Sequence, residues 1–341
     1  MSVLVPPGDM SSSPIVSVPA PREIGGPGRR TLAFLLDALI VGGAAMLLAI
    51  PFFGAFSRLG AWGRLVGFCV SLPYFAILDS SIGHGQTIGK RVLGLQVVDV
   101  YGQTISLGRA LVRYALFAVP YFLNGIALPI TRTPWTFSHL VAPLFEALGF
   151  ANFYLMLCNR HTRQGIHDLA VGSFVAEADK IGSVRARPIW KMHWAILGSL
   201  LVIFTLAGGI LTKKLLNWGP MPQLFQDITL IEKMDGVQQA GAQAQTNWTG
   251  SDAKRKTLEL TIRWTGKSKD QEAFADRVAK VILENDQHIQ DYDQMLIQVI
   301  EGYDLGIAHF SLSHSFEHTP EEWRARAIRV ATPGCAGANC I

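Results

Sequence analysis

The sequence predicts an α-helical multi-pass membrane domain of about five spans, followed by a small α+β extramembrane domain. Three observations carry this reading: a series of apolar runs separated by basic loops, a change of charge balance along the chain, and a C-terminal region that alternates like a half-buried strand. Of the 341 residues, 49% are hydrophobic and only 16% charged, against about 25% charged in ordinary soluble domains. That excludes a disordered chain and argues against a purely soluble one. Residues 1–215 hold 18 Lys and Arg against 9 Asp and Glu, whereas residues 216–341 hold 12 against 17. The net charge of +4 is therefore the sum of a basic, apolar part and an acidic, polar one. The four cysteines are too few for a disulfide scaffold; Cys69 and Cys158 lie in apolar runs, and only Cys335 and Cys340 are placed to bridge.

Residues 1–28 read as a flexible Pro- and Gly-containing tail with no apolar core of the kind a signal peptide needs. Thr31 to Phe53 has about the 20 apolar residues needed to cross a bilayer, interrupted by Asp37, and is the first span. Further apolar stretches follow at about 61–78, 115–130, 139–158 and 193–212. Basic residues gather before span one (Arg22, Arg29, Arg30), between spans two and three (Lys90, Arg91, Arg109, Arg113), and between four and five (Arg160, Arg163, Lys180, Arg185, Arg187, Lys191). The positive-inside rule then puts the N-terminus in the cytoplasm, and an odd number of spans sends the C-terminal region outside. Lys213 and Lys214 oppose this, but the basic linker 179–192 outweighs them. The fifth helix is bounded at 193–214, and the extramembrane module at 220–341.

In that module Leu258, Leu260, Ile262 and Trp264 alternate with polar residues, which predicts a strand over Thr257–Trp264; Phe274, Val278, Val281 and Ile282 repeat at helical spacing. Strands are expected at about Met295–Ile300 and Ile307–Phe316, separated by a turn at Glu301-Gly302-Tyr303-Asp304. Thr319-Pro320-Glu321-Glu322 sets an N-cap, a first-turn proline and a third-position carboxylate, which start a helix.

An ionisable residue inside a span costs at least about 2.5 kcal/mol, so each needs a partner, a hydrated cavity or a task. Asp37 lies about 10 Å deeper than Arg30 on a similar helix face. If span two returns to the cytoplasm, Asp79 comes level with Arg30, so an Arg30–Asp79 pair at the rim with Asp37 facing inward below is the expected arrangement. Glu146 in span four is a further candidate for this polar interior. The alternative is structural: Arg30 snorkels, Asp79 caps a loop and Asp37 serves helix packing.

Arg30, Asp37 and Asp79 together resemble the Arg-Asp-Asp signature of the RDD family of bacterial membrane proteins. The stretch Gly85-Gln86-Thr87-Ile88-Gly89-Lys90-Arg91, with the strand-like run after it, is similar to the family's Gly-x-Thr-x-Gly-Lys-Arg block. Two more blocks are similar: Ser106 to Arg113, holding Arg109 and Arg113, and Arg163-Gln164-Gly165-Ile166-His167-Asp168. The resemblance covers residues 29–178, about half the chain, and implies a multi-pass protein of the bacterial cell inner membrane with transport as its activity.

Other signals are weaker. Gly85 to Lys90 lacks the glycine and hydroxyl positions of a phosphate-binding loop, and reads as a glycine-rich turn whose Lys90 and Arg91 meet anionic headgroups. His167-Asp168 shapes a turn or caps the following segment. His309, His314 and His318 do not converge on a strand, so no metal and no cofactor is expected. Without a nucleophile, base and orienting group the chain is not expected to be an enzyme. Two functions stand: transport of an ion or small solute through a homo-oligomer using the intramembrane charges, or a non-catalytic envelope anchor whose external module binds a partner protein. The acidic module disfavours nucleic acid, and the lipid bilayer is a partner in either case.

Overall fold

The computed structural model describes residues 22–124, 142–249, 253–265 and 270–331. The N-terminal region is helical. It comprises α1 (Pro27–Ala49), α2 (Phe53–Leu59), α3 (Gly63–Asp79), α4 (Ile88–Val92), α5 (Leu107–Asn124), α6 (Ala142–Cys158), α7 (Ile166–Val171) and α8 (Lys191–Leu216), with strands β1 (Leu95–Val98) and β2 (Phe174–Glu177) pairing antiparallel. Two segments, Pro27–Ala49 and Phe53–Asp79, are long and apolar enough to cross a membrane, while Leu144–Cys158 and Lys191–Ala207 are apolar but shorter. Of the about five spans expected, two helices among the described residues have the length and composition to cross. Parts of the third and fourth expected spans, 125–130 and 139–141, lie outside those residues.

The face pattern of α1 is inverted relative to a soluble helix. Its buried stripe is Ala33, Asp37, Val41, Ala45 and Ala49, while Leu39, Leu47 and Leu48 are 73%, 71% and 64% exposed. Small residues inside and large apolar ones outside are what packing in lipid favours, because tails solvate leucine as well as a neighbouring helix does. Cys69 and Cys158 follow the same pattern: both thiols are free and exposed on their helices rather than buried.

The C-terminal part is rich in sheet. After α9 (Met221–Glu232) come β3 (Val237–Thr249), β4 (Ala253–Trp264), α10 (Gln271–Asn285), β5 (Gln294–Asp304), β6 (His309–His318) and α11 (Pro320–Ala331). The sheet order is β3-β4-β5-β6, with β4 and β5 parallel and the outer pairs antiparallel. The alternation in β4 buries Leu258, Leu260 and Ile262 completely against Phe274, Val278 and Ile282 of α10. Trp264 stacks on Phe274 at 4.3 Å between ring centroids. The capping box forms as its spacing predicts: Thr319 Oγ1 accepts from the Glu322 amide at 3.2 Å, and Glu322 Oε2 accepts from the Thr319 amide at 2.8 Å.

The expected turn at Glu301–Asp304 is instead strand. Gly302 pairs with Ser311, and a Cβ there would lie 2.2 Å from the Phe310 carbonyl oxygen, so this glycine permits a close strand contact. The chain reverses at 305–308, where Leu305 N–H bonds the Ala308 carbonyl at 2.9 Å and Gly306 takes φ +75°.

Asp227 of α9 is fully buried, and burial together with the nearby Asp286 pushes its carboxyl up to about 7. A raised acid pKa means that the folded state holds the proton more tightly than the unfolded chain. Stability is then full at low pH and falls as pH rises from the ordinary carboxylate range towards 7. Asp227→Asn should raise stability by about 1–2 kcal/mol at pH 8 and leave it unchanged at pH 4. Tryptophan-fluorescence melts of the full chain at the two pH values check this.

Candidate functional site: a buried ion-pair network

Five charged side chains from five helices form one chain of contacts. Arg30 Nη2 of α1 meets Asp168 Oδ2 of α7 at 2.7 Å; Asp168 Oδ1 accepts from Arg113 Nε of α5 at 2.8 Å. Arg113 Nη1 meets Asp79 Oδ2 at the end of α3 at 2.6 Å, and Asp79 Oδ1 meets Lys90 Nζ of α4 at 2.6 Å. The two carboxylates are 0% and 2% exposed, so their charges depend on these cations rather than on water. Ser173 adds a hydrogen bond to Asp168 at 3.0 Å.

Asp37 stands beside this chain, and among the described residues no cationic side chain forms an ion pair with it. Its Oδ1 accepts from the Tyr74 hydroxyl and the Gly89 amide, each at 2.8 Å, and its Oδ2 accepts from Thr87 Oγ1 at 2.5 Å. Local sequence builds this: Thr87 caps the N-terminus of α4, and a Cβ on Gly89 would lie 2.1 Å from the Ala33 carbonyl oxygen of α1. Only glycine lets α4 approach closely enough for its amide to reach Asp37. Gly85, with φ +68° and the Val97 carbonyl oxygen 2.4 Å from where a Cβ would sit, turns the preceding loop.

The other end is built similarly. Gly165 begins α7 where a Cβ would meet Asn152 Oδ1 and the His167 ring at 2.9 and 2.8 Å. His167 Nδ1 lies 2.7 Å from Asn152 Oδ1. Burial pushes the His167 imidazole down to about 3, so it is neutral and donates from Nδ1, and its 3.5 Å approach to Asp168 is no ion pair. Burial would raise the Asp168 carboxyl, but Arg113 and Arg30 outweigh that and hold it well below the usual range. Burial lowers the Lys90 ammonium against the opposing pull of Asp79. Arg109 binds the end of α7 through the Val171 and Gly172 carbonyl oxygens, and the Arg163 carbonyl oxygen accepts from Arg30.

Three sequence expectations change. Arg30 pairs with Asp168 and not with Asp79, because Arg113 and Lys90 occupy both oxygens of Asp79 and the chain returns at α7 to face Arg30. Lys90 is drawn inward to Asp79 rather than to headgroups, while Arg91 stays exposed. His167-Asp168 is more than a turn-former, since Asp168 joins three helices. Glu146 sits apart from the network. Asn152 and Tyr74, which the sequence reading did not select, carry the signal of single polar groups within apolar runs. Cys335 and Cys340 lie outside the described residues.

A cavity of about 100 Å³ is bordered by Arg30, Asp79, Lys90, Arg113 and His167. It shares Phe34, Phe75, Tyr114, Phe117 and Phe153 with a larger, mainly apolar cavity of about 560 Å³, whose wall includes Glu146 and Asn152. Among the described residues no group of three or more His, Cys, Asp or Glu is placed to hold a metal ion.

Residues 24–172 match the model of the RDD family. A 62-residue segment is 40% identical to the uncharacterized protein YxaI of Bacillus subtilis (strain 168), covering 18% of this chain. The matched stretch is 38% of that curated relative's own length. No solved structure matches the chain.

Proposed function

Taking as premise that residues 24–172 are an RDD family domain, we propose that this membrane-type domain transports an ion or small solute through the charged cavity, and that it is not an enzyme. The carrying observation is Asp79, a buried carboxylate shared by Arg113 and Lys90 at the cavity wall. A cation or proton reaching Asp79 competes with Lys90 for Oδ1, and burial weakens the hold of the Lys90 ammonium on its proton. The Lys90 proton passes to water in the cavity, and charge stays balanced throughout.

The orientation proposed is an N-terminus in the cytoplasm and a C-terminal module outside. In support, the network gathers near the N-terminal end of α1, whereas Tyr303 and Leu305 of the module pack on Ala45 and Ala49 near its C-terminal end. A homo-oligomer in the bilayer completes the pathway. The second reading, an envelope anchor whose module binds a partner protein, is favoured by β6, which exposes Phe310 and Leu312 at a sheet edge.

Flux of monovalent cations and protons in proteoliposomes tests the proposal. Asp79→Asn is expected to lower flux at least tenfold per molecule of the monodisperse fraction, whose yield falls because Lys90 loses its carboxylate. Normal flux in that variant would remove Asp79 from the pathway, and no flux in the parent for any cation or proton would overturn the transport reading in favour of the anchor. Reporter fusions after residue 217 that are active only in the cytoplasm would reverse the orientation.

A further inference from the structure

The reversal between β5 and β6 does not stand free of the helical region. It is seated among the ends of α1, α2, α3 and α5, on three helix glycines. A Cβ on Gly42 would lie 2.6 Å from the Ile307 carbonyl oxygen, one on Gly63 2.6 Å from that of Asp304, and one on Gly67 only 1.7 Å from that of Leu305. Backbone thus rests directly on helix backbone, with no room for a side chain at Gly67 unless the tip moves. Polar contacts fix the seat: Arg64 pairs with Asp304 at 2.9 Å, the Tyr121 hydroxyl donates to the Gly306 carbonyl oxygen at 2.7 Å, and Gln238 Nε2 of β3 donates to the Ser57 and Arg58 carbonyl oxygens.

The same tip forms part of a cavity wall. Gly306 and Ile307 line the 560 Å³ cavity, beside Tyr121 and Phe122 of α5. The aromatic residues that this cavity shares with the charged one lie towards its other end. Tip and network therefore border two adjoining cavities that share an aromatic wall.

We propose that Asp304–Ala308 is a plug: seated, it closes the cavity on the module side, and unseated, it opens it, so that the C-terminal module controls access to the interior of the membrane-type domain. The attachment suits reversible seating. Its ion pair is partly solvated, with side chains 18% and 29% exposed, and is therefore weakened by salt. Its remaining polar contacts end on backbone carbonyls that water satisfies when the tip leaves. The inference concerns access to a cavity and is independent of whether anything is transported.

The test uses the full chain in nanodiscs, with Cys69, Cys158, Cys335 and Cys340 replaced by serine and Ala118→Cys added as a reporter. Ala118 lines the cavity and is 2% exposed. The measured quantity is the rate of reaction with a water-soluble maleimide. Gly67→Ala is expected to raise it at least tenfold. Arg64→Asp should raise it several-fold, and Arg64→Asp combined with Asp304→Arg should return it towards the parent rate, which keeps the question decidable should Gly67→Ala not fold. Ala110→Cys, 1% exposed and packed in a different cluster, should react at the same slow rate in every background. An Ala118→Cys rate unmoved by the seat variants, or a parallel rise at Ala110→Cys, would overturn the plug; the latter would make the tip a general prop of the fold.

Discussion

Asp168→Asn is expected to cost about 3–5 kcal/mol, the penalty for removing one partner of a buried ion pair. It strips Arg30 of its carboxylate, and that guanidinium is 8% exposed with no second carboxylate paired to it among the described residues. Arg113 keeps Asp79, so the damage centres on α1. A domain stable by about 5–15 kcal/mol loses a large share of its margin, and the recovered monodisperse fraction should fall accordingly. Adding Arg30→Met, which fills similar volume without charge, should recover much of the loss even though a second native residue is gone. Size-exclusion profiles and thermal melts of the two variants against the parent measure this; a double variant worse than the single by the full sum would show that the pair is not what Asp168 serves.

At Asp37 the chemical identity of the replacement decides the outcome. Asp37→Ala orphans a backbone amide and two hydroxyls, those of Gly89, Thr87 and Tyr74. At about 1–3 kcal/mol for an unsatisfied buried group, less what hydroxyl rotation recovers, the loss is about 2–4 kcal/mol. Asp37→Asn keeps an acceptor for Gly89 and Tyr74 and turns an amide donor to Thr87, so it should retain the fold at a cost under about 1.5 kcal/mol. Its flux should stay within about threefold of the parent, in contrast to Asp79→Asn. A folded Asp37→Asn protein that had lost its flux would instead make Asp37 part of the pathway.

Much of this arrangement can be read from the residues, for identifiable reasons. Arg30, Asp37 and Asp79 stand out because a charge in an apolar run has few explanations, and the alternation of Leu258, Leu260 and Ile262 fixes the buried face of β4 because strand geometry leaves no other choice. Pairing is different in kind. Asp79 has two oxygens, and which cations fill them depends on α4 folding back under α1 and on α5 lying along α3, neither of which is a property of neighbouring residues. Asp168 looks like an ordinary helix-start aspartate until Gly165 and Asn152 place it against Arg30. The hairpin is a similar case: Gly302 resembles a turn glycine in sequence, while the actual reversal at Gly306 is set by seats on α1 and α3 more than 230 residues earlier.

The Arg30–Asp168 pair joins residues 138 positions apart, which gives the domain an order of manufacture. At about 5–20 residues per second, the ribosome releases Arg30 roughly 7–28 s before the aspartate that neutralises it. During that interval α1 carries an uncompensated arginine, and Arg113, once made, has Asp79 alone. A nascent chain cut short before α7 cannot complete the circuit. The matched family segment ends at residue 172, four residues beyond Asp168, close to the shortest length at which the last counter-charge is in place. The hairpin tip, at 304–308, leaves the ribosome later still, after every member of the ion-pair network has been made.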